Sequence, residues 1–159
     1  MPPSLLPSIT LLSAHLTFLR NTVPTAVTTH VYRRIAARIS EHILQREVLF
    51  RPGLTRGQLR TGLSRDQARS LQAECELWVE TCQAALRTSR ARAEGPWGRL
   101  LVAGRLLGAG RQEVERAVKE VLREQGEGWE DALDIVTGLG SGGLGKEDVK
   151  TVLRLRDDL

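Results

Sequence analysis

Apolar residues recur along this chain at intervals of three and four, the spacing of one face of an α-helix. Leu5, Ile9, Leu12, Leu16 and Leu19 follow that spacing and predict an amphipathic helix at the start. After Pro24, the segment TAVTTHVYRRIAARISEHILQREVLF carries Val27, Val31, Ile35, Ile39 and Ile43, a strict i+4 ladder. Such a ladder drifts by about 40° at each step, so a long helix bearing it meets neighbours on more than one side. Arg33, Arg34, Arg38 and Arg46 populate its other faces. Residues 51–63, RPGLTRGQLRTGL, contain Pro52 and three glycines and read as a loop.

Ser64 with Gln67 then forms a capping-box signature, in which hydroxyl and amide side chains each satisfy an orphan N–H of a helix start. Behind it, Ala68, Leu71, Cys75, Trp78, Cys82 and Leu86 alternate spacings of three and four, a coiled-coil-like seam. Pro96 suits the first turn of the next helix, whose stripe is Trp97, Leu100, Leu101 and Leu107 before Gly108 and Gly110 end it. Val114, Ala117, Val118, Val121 and Leu122 define another, stopped by Gly126 and Gly128. Trp129, Leu133 and Val136 fit one short helix. From Lys146 onward Val149, Val152 and Leu153 share a face, with Glu147 and Asp148 suited to the N-terminal dipole. The pattern predicts an all-α bundle of about seven helices in a single domain spanning 1–159, with loops at 51–63 and 138–145. It contains no credible sheet and no fixed-period repeat. Ile35, Ile39, Ile43, Leu71, Cys75, Trp78 and Leu101 are the expected core.

Composition agrees: the chain has 159 residues, enough for a real core, and only 4% of them are aromatic, fewer than a β-sandwich would want. Charge is uneven. Residues 1–111 hold 16 Lys+Arg against 7 Asp+Glu, a net +9, whereas residues 112–159 hold 7 against 12, a net −5. A basic helical domain that binds nucleic acid is therefore an alternative reading. The arginines are spread along helical patterns, however, rather than packed into a block, which favours solvated helix faces. Cys75 and Cys82 fall on one apolar face about 10 Å apart, too far for a bridge, so buried reduced thiols in a cytoplasmic setting are expected. His15, His30 and His42 show no ligand spacing with them, and no metal site is expected. No run is long and apolar enough for a membrane span. The start lacks the basic region and cleavage site of a signal peptide.

Four segments in order resemble one protein family. The tail LGKEDVKTVLRLRDDL, with Glu147, Asp148, Val149, Val152, Leu153, Leu155 and Arg156, is similar to the acid-Val pair, Leu-rich helix and Arg-bearing tail that close the RINT/TIP family of vesicle-tethering subunits. VYRRIAARISEHILQREVLFR resembles that family's long helix, and LSRDQARSLQAECELWV its Gln-containing segment, with Gln67-Ala68 as counterpart of an Ala-Gln stretch. WGRLLVAGRLLGA looks like its arginine-leucine helix. The resemblance covers residues 27–159 and only the C-terminal end of a full-length member. The family's Gly-Ala-Ala-Gln is not intact here, and the GSGG run looks expanded. The resemblance implies a non-enzymatic subunit or fragment of a Dsl-type tethering complex in Golgi-to-endoplasmic-reticulum retrograde transport. Its partners would be tethering-complex subunits and SNARE proteins, and it would lie in the cytoplasm, peripheral to the endoplasmic reticulum membrane through those partners. No cofactor, small-molecule substrate or nucleic acid is implied. At the end of a rod, Leu5, Leu12 and Leu19 of the first helix would be incompletely covered.

The same tail raises a nucleotide question. Gly138, Gly140 and Gly143 fit G-x-G-x-x-G, and Gly140, Gly145 and Lys146 fit all but the last position of a P-loop. Position 147 is Glu, whose carboxylate would stand where a hydroxyl should meet Mg²⁺ and phosphate. The preceding WEDALDIV has helical spacing, and a single helix follows, so a nucleotide fold has no strands to draw on. The glycines read as a joint that reverses the chain. There is no H-E-x-x-H, no G-x-S-x-G and no Cys–His signature, and Glu130, Asp131 and Asp134 read as a solvated helix face; no catalytic residue is expected. Calorimetric titration with ATP or NAD is expected to give no saturable heat; saturable binding abolished by changing Lys146 would overturn the joint reading.

Overall fold

Residues 5–49, 62–122 and 128–156 are described by a computed structural model, and among them no sheet forms; one isolated bridge pairs Leu63 with Arg156. Eight helices follow in order: α1 (Leu5–Thr22), α2 (Thr25–Ile43), α3 (Arg65–Leu86), α4 (Arg90–Glu94), α5 (Gly98–Gly108), α6 (Arg111–Leu122), α7 (Trp129–Thr137) and α8 (Lys146–Leu153). Seven are those that the hydrophobic spacing predicts. The eighth, α4, is little more than one turn inside the basic stretch before Gly95. A π-helical turn, Leu44–Leu49, prolongs α2, and a 3₁₀ turn, Gly95–Trp97, joins α4 to α5. Of the predicted loop 51–63, only the last two residues lie among those described.

Local chemistry accounts for the boundaries. Pro24 separates α1 from α2. The capping box is present: Gln67 N–H donates to Ser64 Oγ at 3.3 Å, and Ser64 N–H donates to Gln67 Oε1 at 3.1 Å. Glu147 and Asp148 occupy the first turn of α8.

The middle of the bundle is α5. Every residue from Leu100 to Leu107 except Arg105 is buried. Helix α3 packs along it, α1 packs on the far side of α3, and α2, α7 and α8 cover the remaining sides. Helix α6 lies against α7 and α8. Gly104 permits the close approach of α3, since a Cβ there would lie 3.1 Å from Cys75 Sγ. On α3 the expected seam holds at Ala68, Cys75, Trp78 and Cys82, with Val79 and Ala85 added, while Leu71 and Leu86 are only half-buried.

Two expectations about faces need correction. On α2 the buried side is Thr28, Tyr32, Ala36 and Ser40, one residue on from the predicted ladder. Ile39 and Ile43 are half-buried, and Ile35 is 37% exposed rather than in the core. Helix α2 packs on Gly95–Trp97, where Trp97 Nε1 donates to the Tyr32 hydroxyl, and the small residues Ala36 and Ser40 share the buried side. On α1, Ile9, Leu12 and Leu16 are buried against α3 and Leu19 is half-buried, so the loose cover expected over Leu12 and Leu19 is absent. The side chain of Leu5 lies outside the described residues.

Leu12 and its neighbour Leu11 therefore face opposite environments, 8% against 59% exposed. Leu12→Glu is expected to lower unfolding free energy by about 3–5 kcal/mol, because a carboxylate replaces a packed side chain. Leu11→Glu should stay within about 0.5 kcal/mol of the parent. Urea titrations followed by circular dichroism check both; equal losses would overturn the assignment of faces.

Candidate interaction surface

The orientation of α2 is set by a buried polar contact. The Tyr32 hydroxyl donates to the carbonyl oxygen of Ala93, at the end of α4, and accepts from Trp97 Nε1 at 3.0 Å. Trp97 stacks on Trp78 of α3, ring centroids 5.6 Å apart and planes 22° from parallel. Burial pushes the Tyr32 phenol far above its ordinary range, so it stays a donor. The contact ties α2, α3, α4 and α5 together at one point.

Part of the basic charge is turned inward. Arg90 and Arg105 both donate to Glu76, Arg105 Nε at 2.8 Å. Burial pushes the Glu76 carboxyl up, but the hydrogen bonds from Arg105 and Arg90 outweigh it and hold it below the usual carboxylate range. This carboxylate therefore stabilises the fold above its ordinary titration range and stops doing so only in acid. Arg99 bridges Glu41 of α2 at 2.6 Å and Asp148 of α8 at 3.0 Å. Three more guanidinium contacts close helix ends: Arg20 to Ala85 O at 2.5 Å, Arg105 to Thr137 O at 2.6 Å and Arg156 to Leu106 O at 2.7 Å.

The glycine loop follows a helix, α7, as its spacing predicts. Gly138, Gly140, Gly142 and Gly143 all take positive φ, which lets the chain reverse before α8. Gly140 N–H donates to the Asp134 carboxylate at 2.8 Å, so an acidic side chain of the chain itself meets that amide. Gly142 packs on α5: a Cβ there would lie 2.6 Å from Gly98 O. Glu147 points to solvent and accepts from Lys150 at 2.7 Å. Glu130, Asp131 and Asp134 lie exposed on α7, as a solvated face should. Cys75 and Cys82 are free and buried, and burial pushes their thiols up to about 12 and about 11. His15, His30 and His42 are exposed. Among the described residues, no group of three or more His, Cys, Asp or Glu side chains is placed to hold a metal ion. No described helix is long and apolar enough to cross a membrane.

What remains is the outer surface. Six large hydrophobic residues are exposed among those described: Leu6, Leu11, Phe18, Val27, Ile35 and Ile135. Five of the six belong to α1 and α2. On α1, Leu11 and Phe18 are seven positions apart and Ala14 lies between them, so they form a stripe on the side away from α3. Toward the start of the helix, Leu6, Pro7, Thr10, Leu11 and Ala14 line a shallow apolar concavity of about 510 Å³. Apolar spacing alone does not reveal this face, because the inward series Ile9, Leu12 and Leu16 already accounts for a helix. The overlooked signal is that residues 5–19 contain no charged residue at all. A helix with one solvated face would normally carry several.

Compared with protein-family models, curated proteins and solved structures, the chain matches none.

Tyr32 is anchored in the rotation of α2 that leaves Val27 and Ile35 exposed. Tyr32→Phe removes the acceptor of Trp97 Nε1 and the donor to Ala93 O, leaving buried polar groups unpaired at a cost of about 1–3 kcal/mol. Urea unfolding monitored by tryptophan fluorescence is expected to show that loss. An unchanged midpoint would mean that the contact does not fix α2.

Proposed function

We propose that the chain is a non-enzymatic, C-terminal helical part of a vesicle-tethering subunit of the RINT/TIP type, acting through protein–protein contacts in Golgi-to-endoplasmic-reticulum retrograde transport. The observation that carries this reading is the uncovered apolar side of α1, on a bundle whose inner faces are closely packed. Contiguous exposed apolar surface of this kind marks interaction sites. The resemblance lends further support, because its four segments fall on elements that meet one another. WGRLLVAGRLLGA contains all of α5, LSRDQARSLQAECELWV contains the first two-thirds of α3 against it, and VYRRIAARISEHILQREVLFR contains much of α2. The tail contains α8 and, after it, Arg156, which closes the last turn of α5. In this reading the bundle is a rigid holder of partner-binding faces, cytoplasmic and peripheral to the endoplasmic reticulum membrane through its partners.

Binding of nucleic acid is the less supported alternative, since Arg20, Arg90, Arg99, Arg105 and Arg156 are engaged inside the protein. Size-exclusion chromatography of the purified chain with subunits of a Dsl-type complex and the cytoplasmic parts of their SNAREs distinguishes the two. Co-elution is expected, and Leu11→Glu with Phe18→Glu should abolish it while leaving circular dichroism unchanged. Absence of co-elution, or duplex binding that falls steeply with salt, would overturn the tether reading.

A further inference from the structure

Helix α2 carries an apolar ridge of a different character from the side of α1. Val27 and Ile35 are 47% and 37% exposed, and Val31 stands half-buried between them at i+4 spacing. Arg34 and Arg38, both exposed, follow Val31 and Ile35 by three positions and each other by four, so they border the ridge along its length. The arginines elsewhere in the bundle that meet carboxylates, such as Arg90, Arg99 and Arg105, are paired. By contrast, Arg33, Arg34 and Arg38 have no hydrogen bond or ion pair among the described residues; Arg65 and Arg69 of α3 share that, but α3 carries none of the exposed large hydrophobic residues. Nothing nearby in the sequence neutralises them: residues 1–40 contain four arginines and no Asp or Glu. The first acid, Glu41, is already held by Arg99 and by Gln45 at 2.6 Å.

We propose that this ridge receives an amphipathic helix of a partner protein, with apolar residues at i, i+4 and i+7 and Asp or Glu along the flank that meets Arg34 and Arg38. This deepens the tether reading by naming the partner's chemistry, and it rests on that reading only in taking the partner to be a protein. Charge complementarity selects the acid flank: two unpaired guanidinium groups beside apolar surface favour carboxylates, and forked donors hold them in register. Geometry selects a helix over a lipid surface. Val27 and Ile35 are short β-branched side chains more than half covered by their own bundle, with arginines beside them. They match the spacing of an opposing helix and lack the protruding Leu, Phe or Trp that enters a bilayer.

The test is fluorescence anisotropy of the whole chain against three probes: a synthetic amphipathic peptide with leucines at that spacing and a glutamate flank, the same peptide with a lysine flank, and phosphatidylserine vesicles. Saturable binding of the glutamate peptide is expected, weakening with salt. The double variant Arg34→Glu, Arg38→Glu should lose about tenfold or more in affinity and gain affinity for the lysine peptide. Arg65→Glu with Arg69→Glu, exposed at the same spacing on α3, should change affinity by less than about twofold. Circular dichroism confirms that both variants keep their helices. The proposal is overturned by no saturable binding of the glutamate peptide, by equal loss from the α3 reversal, or by vesicle binding alone that requires Arg34 and Arg38. If tether subunits fail to co-elute while the glutamate peptide behaves as described, the ridge stands and the tether identity falls.

Discussion

Helix α5 has no side on which to place a solvated face, and the rest of the bundle is arranged around that constraint. Seven of the eight residues from Leu100 to Leu107 are buried, so neighbours are needed on every side. Its two arginines lie where carboxylates from other helices can reach: Arg105 meets Glu76 of α3, and Arg99 meets Glu41 of α2 and Asp148 of α8. Removing one partner would leave a half-buried charge uncompensated, which is why such contacts resist single substitution more than their net worth suggests. At the N-terminal end Gly142 sits so close to Gly98 O that a side chain there would collide with the α5 backbone. At the C-terminal end Arg156 takes up a carbonyl that the last turn leaves unpaired.

This arrangement also gives several arginines a role that lysine would fill less well. A guanidinium can meet a carboxylate and a carbonyl at once, as Arg105 does with Glu76 and Thr137 O. Arg20 and Arg156 do the carbonyl half of this at the ends of α3 and α5. In each case the cation lies at the negative end of a helix dipole, where it is favoured twice over. The excess charge read from composition thus divides into two populations. One is structural and turned inward; the other is exposed without an internal partner, on the outer side of α2 and also at Arg65 and Arg69 of α3.

The helices were legible in the sequence because their causes are local. Spacing of apolar residues, the Ser64–Gln67 box, Pro24, and the glycines at 138–143 each act within a few residues. The rotation of α2 was not legible, because a contact between residues 61 positions apart decides it. Counting hydrophobic residues favours Val31 and Ile35 over Tyr32 and Ala36. Packing favours the reverse, since a phenol with a hydrogen-bond partner and small residues at a close crossing fit better than branched ones. The outer side of α1 was half legible. Its lack of charge is visible from residue 5 to residue 19, but which of two apolar sides faces α3 depends on the shape of α3.

A comparison of α1 with α5 shows what the uncovered side means energetically. Each presents apolar residues on more than one side, yet α5 has neighbours on every side and α1 is packed mainly on the side of α3, touching α2 less. Covering α1 from outside would place it in the environment that α5 already occupies. Full burial of side chains such as Leu6, Leu11 and Phe18 is worth about 1.5–3 kcal/mol each, and all three are already partly covered. Lost rotational and translational freedom offsets much of that gain, so this face alone supports a modest affinity. A second contact on the same rigid body, such as the ridge of α2, changes the outcome. Once one face is engaged, the other binds at a high effective concentration. Because the inner faces of α1 and α2 are fastened independently, by Leu12 and Leu16 on α3 and by Tyr32 on Ala93, either contact can form or release without opening the core. Modest faces on a rigid holder would give reversible binding whose strength depends on how many are engaged together, the behaviour that the proposed tether role calls for.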